Sequence, residues 1–417
     1  MSAAAVTEAR SAEAEALRIF LRLIRPRPLD DPYPLYAELR DRAPFLPIRF
    51  PGMPGGSLVT TFESCSRLLR DPAFGPPTFA QLDTLNPGWR DGAFTNCVYH
   101  SMVMMSGPAH RARRQVASRP FTPRQIGAFR TDLDEITGLL LDRLAGLGPG
   151  PVDIVEELAM PFASLSLGRL LTIPDDEALR LGQLARRLGV VFEQFASAAQ
   201  RRNLVTYGEE LVQRLAAVLA GRHGSEDNLL SRLAASQAGA GAGPQEQLGM
   251  AVLLFGAGFD SPASMVGLGT KLLLEHPEQA WLLTEDDELA PNAVAEILRY
   301  EPPVQLVART ALEPAELGGT EIAPGSMVFG LIAAANRDPA RVKEPETFDV
   351  TREQVPSLSF GAGPHYCLGA GLASMQGEAL FPRLLRRFPD MRLAGPPVYR
   401  APGSTLRGLE SLPVYLR

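Results

Sequence analysis

Residues Gln245 to Glu275 carry the longest unbroken helical pattern in the chain, and the centre of that pattern breaks the rules for a helix. Gly256, Gly258 and Pro262 lie there. Glycine and proline in a helix interior cost roughly 1 and 3 kcal/mol relative to alanine, so something outside the helix must compensate. Pro262 also removes the donor that the Gly258 carbonyl would otherwise receive. Beside the gap stand an acid and an alcohol, Asp260 and Ser261, in apolar surroundings. The run fits an N-cap opening a second helix, with Pro262 at its first position.

A second stretch, Phe360 to Gly371, places Cys367 among Gly361, Gly363, Gly369 and Gly371, just ahead of another long helical pattern (Leu372, Met375, Leu380, Leu384, Leu385). Glycines at this density suit a backbone that turns with positive φ or passes a flat group closely. A sulfur at a helix N-terminus meets N–H groups and a dipole that favour thiolate, the metal-binding form. A buried structural cysteine is the competing reading of a lone thiol.

The spacing F-x-x-G-x-H-x-C-x-G, read at Phe360, Gly363, His365, Cys367 and Gly369, resembles the haem-binding loop of the cytochrome P450 family. The resemblance implies that Cys367 is the thiolate ligand of haem iron (haem b, iron protoporphyrin IX) and that His365 reaches a propionate. His110 and Arg114, at i and i+4 on one helical face, match the family's H-x-x-x-R pair for a propionate, and Arg309 is implied as a further contact. Gly258, Asp260 and Ser261 align with the oxygen-binding helix, with Asp260 and Ser261 as the implied catalytic relay. Serine stands here where threonine is usual, followed by Pro262. Glu296 and Arg299 match the family's E-x-x-R; the family's third arginine stands before a Phe-Asp, where this chain has Thr347 before Phe348-Asp349, so that member is either absent or replaced by another residue, with Arg352 as a candidate.

By the same resemblance, substrate is expected against Phe192, Phe255, Phe259, Val304 and Leu306. Leu188 to Ala198 reads as a cavity roof, although core packing accounts for it equally well. Phe45 to Ile48 and Ser57 to Thr60 read as a strand pair, Phe62 to Arg70 as a helix, and Asp71 to His100 as irregular.

Length and composition, 417 residues at 45% hydrophobic, allow a large core; no linker or repeat divides the chain, so 1–417 is read as one domain with 1–26 as an extension that either docks or frays. A net charge of −6 argues against a nucleic-acid partner. Three scattered cysteines exclude a disulfide framework and fit a reducing cytoplasm. The most apolar run, Ala251 to Phe259, is too short to span a bilayer, so no membrane association is expected.

The expected fold is therefore mainly α with small β-sheets, the cytochrome P450 fold, with haem between a long distal helix and a proximal cysteine loop and helix. The resemblance implies a bacterial cytoplasmic monooxygenase acting on a small organic molecule in secondary metabolism, with electrons from a ferredoxin and its reductase. The arginine-rich face of Arg111, Arg113 and Arg119 is the expected ferredoxin surface. Ser261-Pro262 keeps open oxidative coupling, ring closure or peroxide-driven oxidation, and a non-catalytic haem partner protein is the reading from another class.

Overall fold

The computed structural model describes residues 3–25, 29–49, 55–85, 87–193, 203–221, 229–401 and 404–417. Helices dominate. Those before the centre of the chain are α1 (Ala3–Leu23), α2 (Tyr33–Arg42), α3 (Phe62–Arg70), α4 (Phe79–Leu85), α5 (Ala93–Tyr99), α6 (Gly107–Ala117), α7 (Pro123–Ala128), α8 (Arg130–Ala145), α9 (Met160–Leu171) and α10 (Asp175–Leu188). A short 3-10 turn, Gly189–Phe192, follows α10. Then come α11 (Asn203–Leu219), α12 (Leu229–Gly239), α13 (Pro244–Glu275), α14 (Pro277–Glu285), α15 (Ala290–Tyr300), α16 (Ile332–Ala335) and α17 (Ala370–Arg387).

Among the described residues, the largest sheet has five strands in the order β1 (Phe45–Ile48), β2 (Gly56–Val59), β5 (Met327–Leu331), β4 (Leu306–Ala311) and β3 (Phe74–Gly75). The expected strand pair is its edge hairpin, with Phe45 opposite Val59. The segment from Asp71 to His100 is less irregular than its sequence suggests. Helices α4 and α5 have only seven residues each, too few for periodicity to register, and tertiary contacts hold them: Trp89 Nε1 donates to Asp83 at 2.9 Å and Thr95 Oγ1 to the Trp89 carbonyl at 2.7 Å.

Helix α13 runs unbroken through Pro262. It is long and apolar enough to cross a bilayer, but 72% of its apolar window is buried in the protein, as befits a central core helix. Packing against α5, α9, α10 and α11 compensates the glycines and the proline. The half of α1 that carries Ala16, Ile19 and Phe20 docks rather than frays, since all three are buried in a second core beside Tyr33, Leu39 and Leu46.

Glu296 and Arg299, on α15, are fully buried and paired at 2.7 Å. All five N–H groups of Arg299 are used: two on the Glu296 carboxylate, the rest on the carbonyls of Asn336, Pro345 and Thr347. Arg352 reaches Glu296 at 3.4 Å as a third member of this network, while Thr347 contributes only its carbonyl. The Asn336 side chain donates to Ser359 at 2.8 Å and accepts from the Leu358 N–H at 2.7 Å, and Ser359 in turn donates to the Leu298 carbonyl. The ion pair is thereby tied to the backbone entering the Cys367 loop.

Removing one member of a buried pair leaves the other charge uncompensated, typically at about 3–5 kcal/mol. Glu296→Gln is expected to destabilise the fold by that order, read as a lower urea midpoint at unchanged slope. Arg352→Ala, farther away and less buried, should cost about 1 kcal/mol or less in the same measurement.

Candidate active site

Helical periodicity decides which side chains of α13 face inward. Leu253, Leu254, Ala257, Gly258, Ser261, Pro262 and Met265 recur every three to four positions and form one wall of a largely apolar cavity. Ala257, Gly258 and Ser261 keep accessible surface there, on a helix otherwise mostly buried. A Cβ at Gly258 would stand 3.2 Å from both terminal carbons of Leu167, so even alanine would crowd this wall. Phe255 and Phe259 lie on other faces of the helix, and neither borders the cavity. Phe259 packs on α10, its ring 2.9 Å from where a Cβ at Gly182 would be.

The opposite wall is the Cys367 loop. Its backbone closes on itself, with the Cys367 N–H donating to the Phe360 carbonyl at 2.8 Å. Gly361 and Gly363 have φ of +71° and +67°, the left-handed region where glycine is favoured. At Gly363 a side chain is excluded twice over, since a Cβ would lie 2.5 Å from the Leu69 carbonyl oxygen at the end of α3. At Gly369, by contrast, a Cβ would meet no protein atom within 4 Å. Phe360, His365, Cys367 and Gly369 all border the cavity, as do His110 and Arg114 from α6.

Sequence reasoning favoured a thiolate at Cys367 from its place at a helix start. Burial is the larger effect and raises the thiol above its usual value, against the pull of the Gly369 N–H and the Arg114 charge. A cation opposite the sulfur is needed to make thiolate the stable form.

The electrostatics of one rim point to a ligand of opposite sign. The His110 and His365 rings lie 4.1 Å apart, and Arg114 donates to the Tyr366 carbonyl at 2.5 Å. Burial, followed by Arg309, His110 and Arg114, pushes His365 down to about 3. Burial also lowers Arg309, whose side chain, among the described residues, donates only to the Ala308 carbonyl. Among the described residues, no carboxylate lies within ion-pair distance of Arg114, Arg309, His110 or His365. The cluster thus has basic groups in place for an anion that the protein itself does not supply. On the loop-helix wall, Gln376 is buried and neither polar atom of its amide has a partner among the described residues. A flat group carrying carboxylates at one edge and a metal at its centre fits these donors, the sulfur and the room above Gly369.

Asp260 stands apart. Its carboxylate leaves the cavity face and accepts from Nη1 and Nη2 of Arg400, at 2.5 and 2.9 Å. Burial would lower Arg400, but Asp260, with Glu193 and Glu410 beyond, raises it. Periodicity foretold neither Arg400 nor Gln376; Arg400 lies 140 residues from its partner, and Gln376 reads in sequence as an ordinary helix residue. Leu306 is buried in the second core, facing Leu331 in the sheet, and Val304 bridges Leu406; neither borders the cavity. The side chain of Phe192 lies outside the described residues. Of the expected docking arginines, Arg113 is engaged by Glu246 at 2.6 Å, whereas Arg111 and Arg119 are exposed.

Comparison with known proteins gives the same direction. The Cytochrome P450 family profile matches residues 250–391. The chain is 35% identical to 6-deoxyerythronolide B hydroxylase of Saccharopolyspora erythraea, covering 93% of this chain and 96% of that protein. It is 32% identical to the cytochrome P450 monooxygenase PikC of Streptomyces venezuelae, covering 93% and 91% respectively. Among solved structures it resembles P450BioI, crystallised with an acyl carrier protein bearing hexadec-9Z-enoic acid, at a TM-score of 0.83 and 30% identity over 92% of this chain and 98% of that one. With a helix wall, a cysteine loop and an anion-seeking rim closing on one cavity, and with relatives that match along nearly its whole length, this chain belongs to the cytochrome P450 family.

Proposed function

We propose that Cys367 ligates the iron of haem b, that His110, Arg114, Arg309 and His365 hold its propionates, and that the chain hydroxylates a largely apolar secondary metabolite of macrolide or polyketide size. The observation that carries this reading is the convergence of Cys367 and three basic side chains, His110, Arg114 and His365, on one apolar cavity under the Ala257-Gly258-Ser261 stripe, with the Arg309 charge felt at His365. Haem bound there supplies the redox-active iron at which dioxygen is reduced and cleaved. The protein's part is to hold the sulfur as thiolate through the Gly369 N–H, to neutralise the carboxylates, to keep the cavity apolar and to deliver protons. Two electrons and two protons enter for each oxygen atom inserted, and the second oxygen leaves as water.

Ser261 is the group on the cavity wall that passes those protons inward, and Asp260, one residue earlier, is their reservoir on the far side of the helix. Electrons come from a ferredoxin and its reductase through the face of Arg111 and Arg119, without Arg113. The relatives' substrates motivate the substrate class, and the carrier-protein complex of P450BioI motivates testing carrier-tethered acyl chains beside free ones. The work is placed in the cytoplasm, where reduced thiols and ferredoxin are available. One observation favours a second reading, oxidative coupling or peroxide-driven oxidation: Asp260 is already engaged by Arg400. Oxygen-18 gas distinguishes the two, since hydroxylation puts the label in the product.

Haem-loaded protein should show the thiolate-type Soret band when reduced under CO, and Cys367→Ala should abolish it; persistence of the band would overturn the ligand assignment. Asp260→Ala should slow coupled turnover roughly 10- to 100-fold, the low end for a general acid–base group, and raise peroxide release per NADPH consumed. Unchanged coupling would reduce Asp260 to the partner of Arg400. Arg111→Ala with Arg119→Ala should weaken the salt dependence of ferredoxin-driven reduction, and an unchanged dependence would place the docking face elsewhere.

A further inference from the structure

Gln376 is a polar side chain on the Cys367 cavity to which the haem-thiolate reading gives no task. It lies about two turns beyond Gly369 on α17, on the face that carries Leu372 and Ala373 to the same cavity. It is 1% exposed, and neither its Oε1 nor its Nε2 has a hydrogen-bond partner among the described residues. An amide so placed has given up water without replacing it, and the folded chain carries the desolvation cost of both atoms. Unpartnered buried amides are rare, and a methionine would fill the same space without that cost. The amide therefore needs a reason to be there.

The neighbouring helix supplies a complement. At Gly377, the next residue, a Cβ would stand 2.6 Å from Cγ2 of Val294, so α17 and α15 are pressed together at this level. One turn beyond Val294 is Leu298, which also borders the cavity. Its carbonyl would take a helical N–H from position 302, but Pro302 has none to give. The Ser359 hydroxyl donates to that carbonyl at 2.6 Å and uses one of its two lone pairs. Ser359 is itself filled, with the Asn336 amide donating to it at 2.8 Å and Ser357 Oγ at the same distance. What this wall offers is an amide donor, an amide acceptor and the second lone pair of the Leu298 carbonyl. A buried water, with about two to four polar partners, is the small ligand that such a set takes.

We propose that Gln376 is a cofactor-retaining residue: its amide and the Leu298 carbonyl hold one ordered water on the cavity wall, and haem occupying the cavity shuts that water in. The bonds of the amide then belong to the loaded protein, and their free energy appears as slower release of haem. Through the Leu298 carbonyl, Ser359 and Asn336, the water joins α17 to the Glu296–Arg299 network, so the helix after the sulfur and the loop before it are held to one frame. This inference rests on the haem-thiolate reading, which assigns the occupant of the cavity.

The test follows transfer of haem from the ferric full-length protein to excess apomyoglobin, for wild type, Gln376→Met and Gln376→Glu. Methionine keeps the volume and removes the polar atoms; glutamate, held protonated by burial, keeps an acceptor and a donor at the same reach. Release should be about 10-fold faster from Gln376→Met and within about 3-fold of wild type from Gln376→Glu, with the thiolate Soret band unchanged in both. A crystal structure of the loaded wild type should place a water within hydrogen-bond distance of both Gln376 and the Leu298 carbonyl. Should Gln376→Met fail to load haem, Gln376→Leu carries the same comparison. Release from the apolar variant at the wild-type rate, equal acceleration in the apolar and Gln376→Glu variants, or an amide with no water beside it would overturn the inference while leaving the haem-thiolate reading intact. Wild-type protein without the thiolate band would overturn both.

Discussion

The Glu296–Arg299 pair is the interaction on which the rest depends. Two charges without solvent exposure are tolerable only because every donor of Arg299 and both oxygens of Glu296 have partners. Those partners come from distant segments: the 336 turn, the 345–349 loop and Arg352. Satisfying one guanidinium therefore fixes several loops at once, and Asn336 and Ser359 extend the arrangement to the first residues of the cysteine loop. Sulfur placement in this monooxygenase is a consequence of buried polar satisfaction as much as of the loop's own glycines.

The cavity is organised by a different imbalance. The scaffold network is nearly neutral, whereas the rim built from α6, β4 and the cysteine loop gathers basic groups without acids among the described residues. Such a rim is unfavourable for the protein alone, because burial and mutual repulsion both oppose charging it. An anionic cofactor reverses both effects, so part of its binding free energy comes from relieving a cost built into the fold. The chain takes a small-molecule substrate, and under the proposed function it meets the apolar side of the same cavity.

Much of this was legible in the sequence because it is local. Phe360 to Gly369 carries its chemistry in ten consecutive residues, His110 and Arg114 share one turn spacing, and α13 stands out by length alone. What escaped the sequence is what depends on azimuth or on distance along the chain. Phe255 and Phe259 neighbour the oxygen-side residues in sequence yet point elsewhere, since successive helical positions turn by about 100°. Asp260 found Arg400, and Glu193 found residues 404–406, through tertiary packing that no spacing encodes. Glu296 and Arg299 were readable as a motif, but the spacing alone would have put them on the surface.

Gly363 lies where the loop presses on the end of α3, leaving no room for a side chain. Helix α3 packs on the five-stranded sheet, while α17, which the loop enters, packs among the helices. The sulfur is therefore placed by a seam between two bodies of structure and by neither alone. A partly folded chain with its helices formed but its sheet unassembled would contain Cys367 and still lack its binding geometry, which makes cofactor uptake a reporter of completed assembly.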